Sequence, residues 1–173
     1  MSSFTVLNGR GENMIKKKEV SLSLYNPKIS VEYELPSEQL EFSGMPQDII
    51  NRDKENPLKH LVIIHARNEA AGFLELDESE DKKKYSSNPN ALLLRGFSVN
   101  PKFQGRGIAT GSIYALQDFI RSEFPDFDEV VLGVNARNKP AKRLFEKAGF
   151  EDTGRRFMRT SGEQIVMSMR IEK

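Results

Sequence analysis

The stretch Gln104-Gly105-Arg106-Gly107-Ile108-Ala109-Thr110-Gly111 constrains the fold of this chain more than any other. It lies between an apolar run, Ala91 to Val99, and a segment where Ala109, Ile113, Leu116 and Ile120 recur at helical spacing. Glycines at 105 and 107 permit backbone angles closed to other residues and let a ligand approach the main chain. The first amides of a helix have no partner within it and carry the positive end of its dipole. A glycine bend opening into a helix N-terminus is therefore a seat for an anion, phosphate above all. The plain alternative is a glycine turn with no ligand.

Two familiar phosphate loops do not fit. A dinucleotide-binding fingerprint needs a glycine where this chain has Thr110, and an acidic residue near Gly133, Val134 and Asn135. A Walker loop needs a lysine, and none lies between Gly105 and Gln117.

A length of 173 residues suits one domain with a sizeable core. Hydrophobic content of 38% and charged content of 29% are those of a globular protein. No apolar run approaches the roughly 18 residues of a spanning helix, so no membrane partner is expected. A net charge of +1 argues against a globally basic nucleic-acid binder. The absence of cysteine excludes a disulfide framework, a thiolate nucleophile and a Cys-based zinc site, and a cytoplasmic location is the simplest reading.

Residues 1 to 13 are polar and aperiodic, which suggests a leader or extension, with the folded part, 14–173, starting near Met14. Val20, Leu22 and Leu24 alternate with polar residues as in a half-buried strand ending at Asn26-Pro27. Ile29, Val31 and Tyr33 suggest a second short strand or extended segment, Ser37 a helix cap, and Pro46 to Lys54 a helix. His60 to Ala66 and Ala70 to Leu76 flank Arg67-Asn68-Glu69 as a β-hairpin. Asp77 to Asn90 reads as a solvated charged loop, and Ala91 to Val99 as a central strand. After the bend, a helix ends before Pro125 and Glu129 to Val134 forms a buried strand. Asn138 then caps a helix with Pro140 in its first turn and Gly149 at its stop. Phe150 to Met158 and Gln164 to Ile171 close the chain as two strands. This alternation predicts a mixed α/β sandwich with helices packed on a sheet.

Two segments together resemble the GNAT acetyltransferase superfamily. Its acetyl-CoA loop, Gln/Arg-x-x-Gly-x-Gly/Ala, is matched by Gln104, Gly107 and Ala109. Its later pattern, Asn-x-x-Ala-x-x-Leu-Tyr-x-Lys-x-Gly-Phe, is matched by Asn138, Ala141, Leu144, Lys147, Gly149 and Phe150, with Phe145 in the tyrosine position. The resemblance implies an α/β (α+β mixed) fold, with a central mixed, mostly antiparallel sheet, splayed middle strands and helices on both faces. It implies acetyl-CoA as co-substrate and no metal. The amides of Gly105, Arg106, Gly107, Ile108, Ala109 and Thr110 would meet the pyrophosphate, with Gln104 beside them and Arg106 adding charge. Lys102, Lys139, Lys142 and Arg143 are candidates for the outer phosphate. The backbone of Phe97, Ser98 and Val99 would bond the pantetheine arm. Asn138 would contact the cofactor, cap its helix, or both.

The implied reaction is direct attack of a primary amine on the thioester. Phe145 cannot donate a proton to the leaving thiolate, which leaves water or another tyrosine, Tyr114 being nearest in sequence. Where the family often has a strand glutamate, this chain has Arg95-Gly96, so Glu75 and Glu41 are the candidate bases, with His65 or a water relay as alternatives. The acidic run Glu75 to Asp81 suits a cationic acceptor and Arg95 a carboxylate, so a small-molecule amine or a peptide amine both fit. A monomer or homodimer is expected. The alternative function is a non-catalytic acyl-CoA-binding or regulatory module.

Overall fold

The computed structural model describes residues 19–173, so the expected leader and the start at Met14 lie outside the described residues. In chain order the elements are β1 (Val20–Leu24), α1 (Ser37–Leu40), α2 (Pro46–Asp53), β2 (Lys59–Ala66), β3 (Glu69–Asp77), β4 (Ala91–Val99), α3 (Ile108–Glu123), β5 (Glu129–Asn135), α4 (Lys139–Lys147), β6 (Glu151–Arg159) and β7 (Gly162–Arg170). They build one 7-stranded sheet in the order β1-β2-β3-β4-β5-β7-β6. Only β4 and β5 run parallel; the other neighbours pair antiparallel. The mixed, mostly antiparallel sheet is thus the one the resemblance implied. Among the described residues no helix is long and apolar enough to cross a membrane.

Alternate residues of each strand face opposite sides, and the two sides are covered differently. Leu74, Leu76, Leu92 and Leu94 pack with Ile108, Ile113, Leu116 and Ile120 of α3 and with Phe145 of α4. On the other face, Leu61, Ile63 and Phe73 meet Ile49 and Ile50 of α2 and Val31. Residues 29–33 form no strand, but the buried Val31 shows why they alternate: the segment is extended and packs without joining a ladder. The Ser37 cap is corrected, since α1 begins at Ser37, Pro36 holds the cap position, and no side chain caps the helix.

The loop between β3 and β4 departs most from expectation. It is not simply solvated: Asp77 is fully buried, Glu80–Lys84 form a short 3-10 helix, and Tyr85 is buried against Ala91, Leu93, Val131 and Val166. Charged residues made the segment look like a surface, yet its two ends are pinned to the sheet.

Within β4 the ladder to β3 is interrupted. Ser98 pairs with Phe73 and Arg95 with Glu75, so two residues of β4 stand opposite Leu74 alone. Gly96 lies in this bulge at φ +59°, and a Cβ there would sit 2.7 Å from the Ile49 Cδ1. The bulge switches parity, so Phe97 and Val99 join Leu92 and Leu94 on the face covered by α3. Gly96→Ala is expected to destabilise the protein by about 1–3 kcal/mol, through positive-φ strain and displacement of Ile49. Urea unfolding checks this as a lowered midpoint at unchanged slope.

Candidate functional site

The site begins where β4 and β5 part. Their pairing consists of Ala91 with Glu129, Leu92 with Val130 and Leu93 with Val131. Beyond that last rung, β4 stays paired with β3 as far as Val99, and β5 stays paired with β7 as far as Asn135. Each strand is therefore held by its outer neighbour while the two diverge, leaving a V-shaped gap with main chain on both walls. Phe97, Ser98 and Val99 form the β4 wall. Ser98 is fixed by Tyr33, whose hydroxyl donates to the Ser98 carbonyl at 3.2 Å and lies 2.8 Å from its Oγ. Burial pushes the Tyr33 hydroxyl pKa above its ordinary value, keeping it a donor.

At the open end of the gap the chain makes a 3-10 turn, Pro101–Phe103, and enters the glycine bend. Gly105 and Gly107 both have positive φ, 78° and 83°, so the bend uses the freedom that only glycine supplies cheaply. Gly107 is the residue before α3, and no side chain caps the helix. Among the described residues, no hydrogen bond occupies the amides of Arg106, Gly107, Ile108, Ala109 or Thr110; the first one made is Gly111 to the Gly107 carbonyl, 2.9 Å. The Ile108 side chain is buried in the core, so only its backbone is presented. Several amides without partners stand at the positive end of a 16-residue helix, an arrangement that can seat an anion.

Gln104 has a different task from its neighbours. Its carboxamide donates to the Val99 carbonyl at 2.9 Å and exchanges hydrogen bonds with Gln39 at 3.0 and 3.1 Å. It closes the bend and ties it to α1. Of the expected outer-phosphate cations, Lys102 is paired with Glu69 and Lys142 with Glu146. Asn138 does cap α4, its Oδ1 accepting from the Ala141 amide at 3.3 Å. Phe145 packs on Phe97 across 6.0 Å between ring centres, lining the gap from the α3–α4 face with a group that has no proton to give.

The candidate bases occupy contrasting places. Glu75 is 1% exposed, and neither carboxylate oxygen has a hydrogen-bond partner among the described residues. Burial and the neighbouring Asp53 carboxylate push its pKa up to about 7, against the pull of Lys59 at 4.0 Å. Asp53 itself is held low by its hydrogen bonds from Arg52. The fully buried Asp77 resists the upward push of burial, because Lys59 and Ser79 donate to it. Arg95 joins the group through Asp77 at 3.1 Å and Asp81 at 3.2 Å. Arg95 and the acidic run are thus partners in one network, and the opposed acceptor preferences read from them cancel. Glu41 is exposed and ion-paired with Arg137, which also stacks on Phe42 and donates to the Ser161 carbonyl. His65 lies on β2, 2.7 Å from the Ser23 hydroxyl, with its pKa lowered by burial. The Tyr114 hydroxyl donates to the Lys147 carbonyl at the end of α4. Among the described residues no group of His, Asp and Glu side chains is placed to hold a metal ion.

Residues 27–150 match the acetyltransferase (GNAT) family. The uncharacterized N-acetyltransferase YbbJ of Bacillus subtilis (strain 168) is 32% identical to this chain over 154 residues, 87% of the chain and 96% of that protein. The chain belongs to the acetyltransferase (GNAT) family. Solved structures agree on the fold. AAC(6')-Ib in complex with parmomycin and acetyl-CoA superposes with a TM-score of 0.68 at 17% identity, over 88% of this chain and 93% of that one. Spermidine/spermine N-acetyltransferase SpeG from Vibrio cholerae, in complex with manganese ions, gives 0.60 at 15% identity, over 89% and 94%.

Two features of the site escaped sequence reasoning. One is the burial of the Asp53–Glu75–Asp77 group, which depends on α2 closing over β3. The other is Tyr85, whose only sequence signal was an aromatic residue inside a charged loop.

The raised Glu75 pKa makes a prediction about pH. A carboxyl titrating higher when folded contributes stability that is full below its unfolded pKa and lost as pH rises through the folded value. Stability should therefore fall between about pH 4.5 and about pH 7 on account of Glu75. Asp53 and Asp77, held low, work in the opposite sense and lose their contribution only in stronger acid. Glu75→Gln should remove the decline and leave the variant more stable than wild type at pH 8, as read by urea unfolding across that range.

Proposed function

We infer that this protein transfers an acetyl group from acetyl-CoA to a primary amine by direct attack in a ternary complex. The observation that carries the reading is the line of amides from Arg106 to Thr110, open at the start of α3 and continuous with the parted walls of β4 and β5. Those amides suit a diphosphate, with the Gly105 backbone and Arg106 alongside. The main chain of Phe97, Ser98 and Val99 suits an extended amide-bearing arm, which it would bond as a surrogate strand. Asn138 stands at the mouth of α4, where its carboxamide nitrogen can donate to the same arm.

Acetyl-CoA supplies an acyl group already activated as a thioester, so the protein's work is to orient it, hold the amine and move protons. Glu75 is the proposed base. Its raised pKa suits proton uptake near neutrality, and its burial beside Asp53 implies that the proton arrives through ordered water. Glu41 is the lesser candidate, because Arg137 holds its carboxylate. Structural neighbours are named for aminoglycosides and for spermidine, and a polyamine or amino sugar is accordingly the first acceptor class to test.

One observation favours the non-catalytic alternative: Phe145 stands where the family's tyrosine acid is expected. Thiol release from acetyl-CoA separates the readings, using kanamycin, spermidine, a lysine-containing peptide and a peptide with a free N-terminus. Turnover with any of them supports the enzyme, whereas CoA binding with no release on the whole panel supports the module.

Gly107→Val tests the diphosphate seat. Wild-type protein should gain about 2.7 kcal/mol at CoA a hundredfold above its Kd, seen as a raised Tm. The variant should lose that gain. Its own loss in the absence of ligand should be about 1–2 kcal/mol, the strain of a β-branched residue at positive φ. Normal CoA stabilisation of this variant would place the diphosphate elsewhere.

A further inference from the structure

Tyr85 comes from the loop between β3 and β4 and lies on the sheet face opposite α3 and α4. It is 6% exposed. Its ring rests on Ala91, Leu93, Val131 and Val166, with Phe157 edge-on at 5.1 Å. Leu93 and Val131 are the last paired rung of β4 and β5. Two residues further along each strand, on this same face, stand Arg95 and Gly133. A Cβ on Gly133 would lie 2.9 Å from the Tyr85 Cε1 and 3.7 Å from its hydroxyl. The glycine thus leaves room for the ring, and the hydroxyl projects past the last rung to the closed end of the gap, where the two strands begin to part. Arg95 stands on the opposite wall, on β4. Among the described residues this hydroxyl has no hydrogen-bond partner, although the side chain is nearly enclosed. The oxygen keeps a path to solvent, so a bound ligand can reach it and receive its proton.

We propose that Tyr85 is the proton donor to the thiolate leaving acetyl-CoA, doing from the loop side what Phe145 cannot do from α4. This rests on the acetyl-transfer reading above. In the step, the amine nitrogen forms a bond to the carbonyl carbon and the carbon–sulfur bond breaks with its electron pair passing to sulfur. The Tyr85 O–H proton moves to sulfur, giving free CoA thiol. The phenolate regains a proton, through water, from the ammonium formed on the attacking nitrogen, so charge and protons balance.

The experiment follows thiol release from acetyl-CoA to the fastest amine of the panel, or to water where no amine accelerates it, for wild type, Tyr85→Phe and the double variant Tyr85→Phe/Phe145→Tyr. Tyr85→Phe should lower kcat about 100-fold with KM for acetyl-CoA within twofold of wild type. CoA should raise the Tm of this variant as it does for wild type, which shows that the donor seat and the fold survive. Restoring a hydroxyl from the other face in the double variant should recover at least tenfold of the lost kcat. Wild-type kcat in Tyr85→Phe, a rise confined to the acceptor KM, or no recovery in the double variant overturns the assignment. Wild-type protein that CoA stabilises but that releases no thiol also overturns it, while leaving the diphosphate seat standing. Absence of CoA stabilisation in the wild type would instead remove the acetyl-transfer reading itself.

Discussion

Three rungs of parallel pairing hold the middle of this sheet together, and the site exists because there are no more. Unpaired main-chain groups are costly inside a protein, so a sheet does not open at its centre unless something compensates. Here the compensation is local: β3 and β7 each keep their own ladder with β4 and β5. The Gly96 bulge then bends β4 off the line that would have continued the pairing. The divided sheet leaves amide and carbonyl groups at hydrogen-bonding spacing, which an extended ligand can satisfy as a strand would.

The two faces of that gap carry different chemistry. On the face of α3 and α4 lie the open amides of the helix start and the aromatic wall of Phe97 and Phe145. The other face carries the buried acids and their cations, Asp53, Glu75, Asp77, Lys59 and Arg95, with the Tyr85 hydroxyl at the border. On the function proposed above, an anionic, extended donor would lie on the first face and proton traffic on the second. Gln104 and Arg137 join the faces mechanically, since one binds Gln39 and the other Glu41, both from the segment around α1. The segment around α1 is therefore braced against the glycine bend through Gln104 and against the start of α4 through Arg137.

Much of this was legible in the residues, and the reasons are specific. The β4 limits, Ala91 and Val99, were readable because a strand buried on both faces is a continuous apolar run closed by Asn100-Pro101. Asn138-x-Pro140 and Gly149 marked both ends of α4 because caps and stops are chemical requirements of single positions. The glycine bend was readable for the same reason. What could not be read depended on tertiary partners. Ile29, Val31 and Tyr33 alternate as strand residues do, but alternation reports a packed face and not a hydrogen-bonded ladder. Glu75 and Asp77 looked like the acidic margin of a surface loop, and only the arrival of Lys59 from β2, Arg95 from β4 and Asp53 from α2 reveals them as buried. Tyr85 was hidden by three lysines preceding it, since local composition carries no information about a ring that folds back across β4 and β5.

The claim on which the rest depends is that the backbone amides from Arg106 to Thr110 receive a diphosphate. Amide-resolved NMR of the 15N-labelled protein tests it most directly, comparing saturating CoA with pantetheine, which lacks the diphosphate. The account predicts large shifts of the Arg106–Thr110 amides with CoA and small ones with pantetheine, while Phe97, Ser98 and Val99 respond to both. Equal responses of the bend to the two ligands, or a CoA footprint that spares these amides, would contradict it.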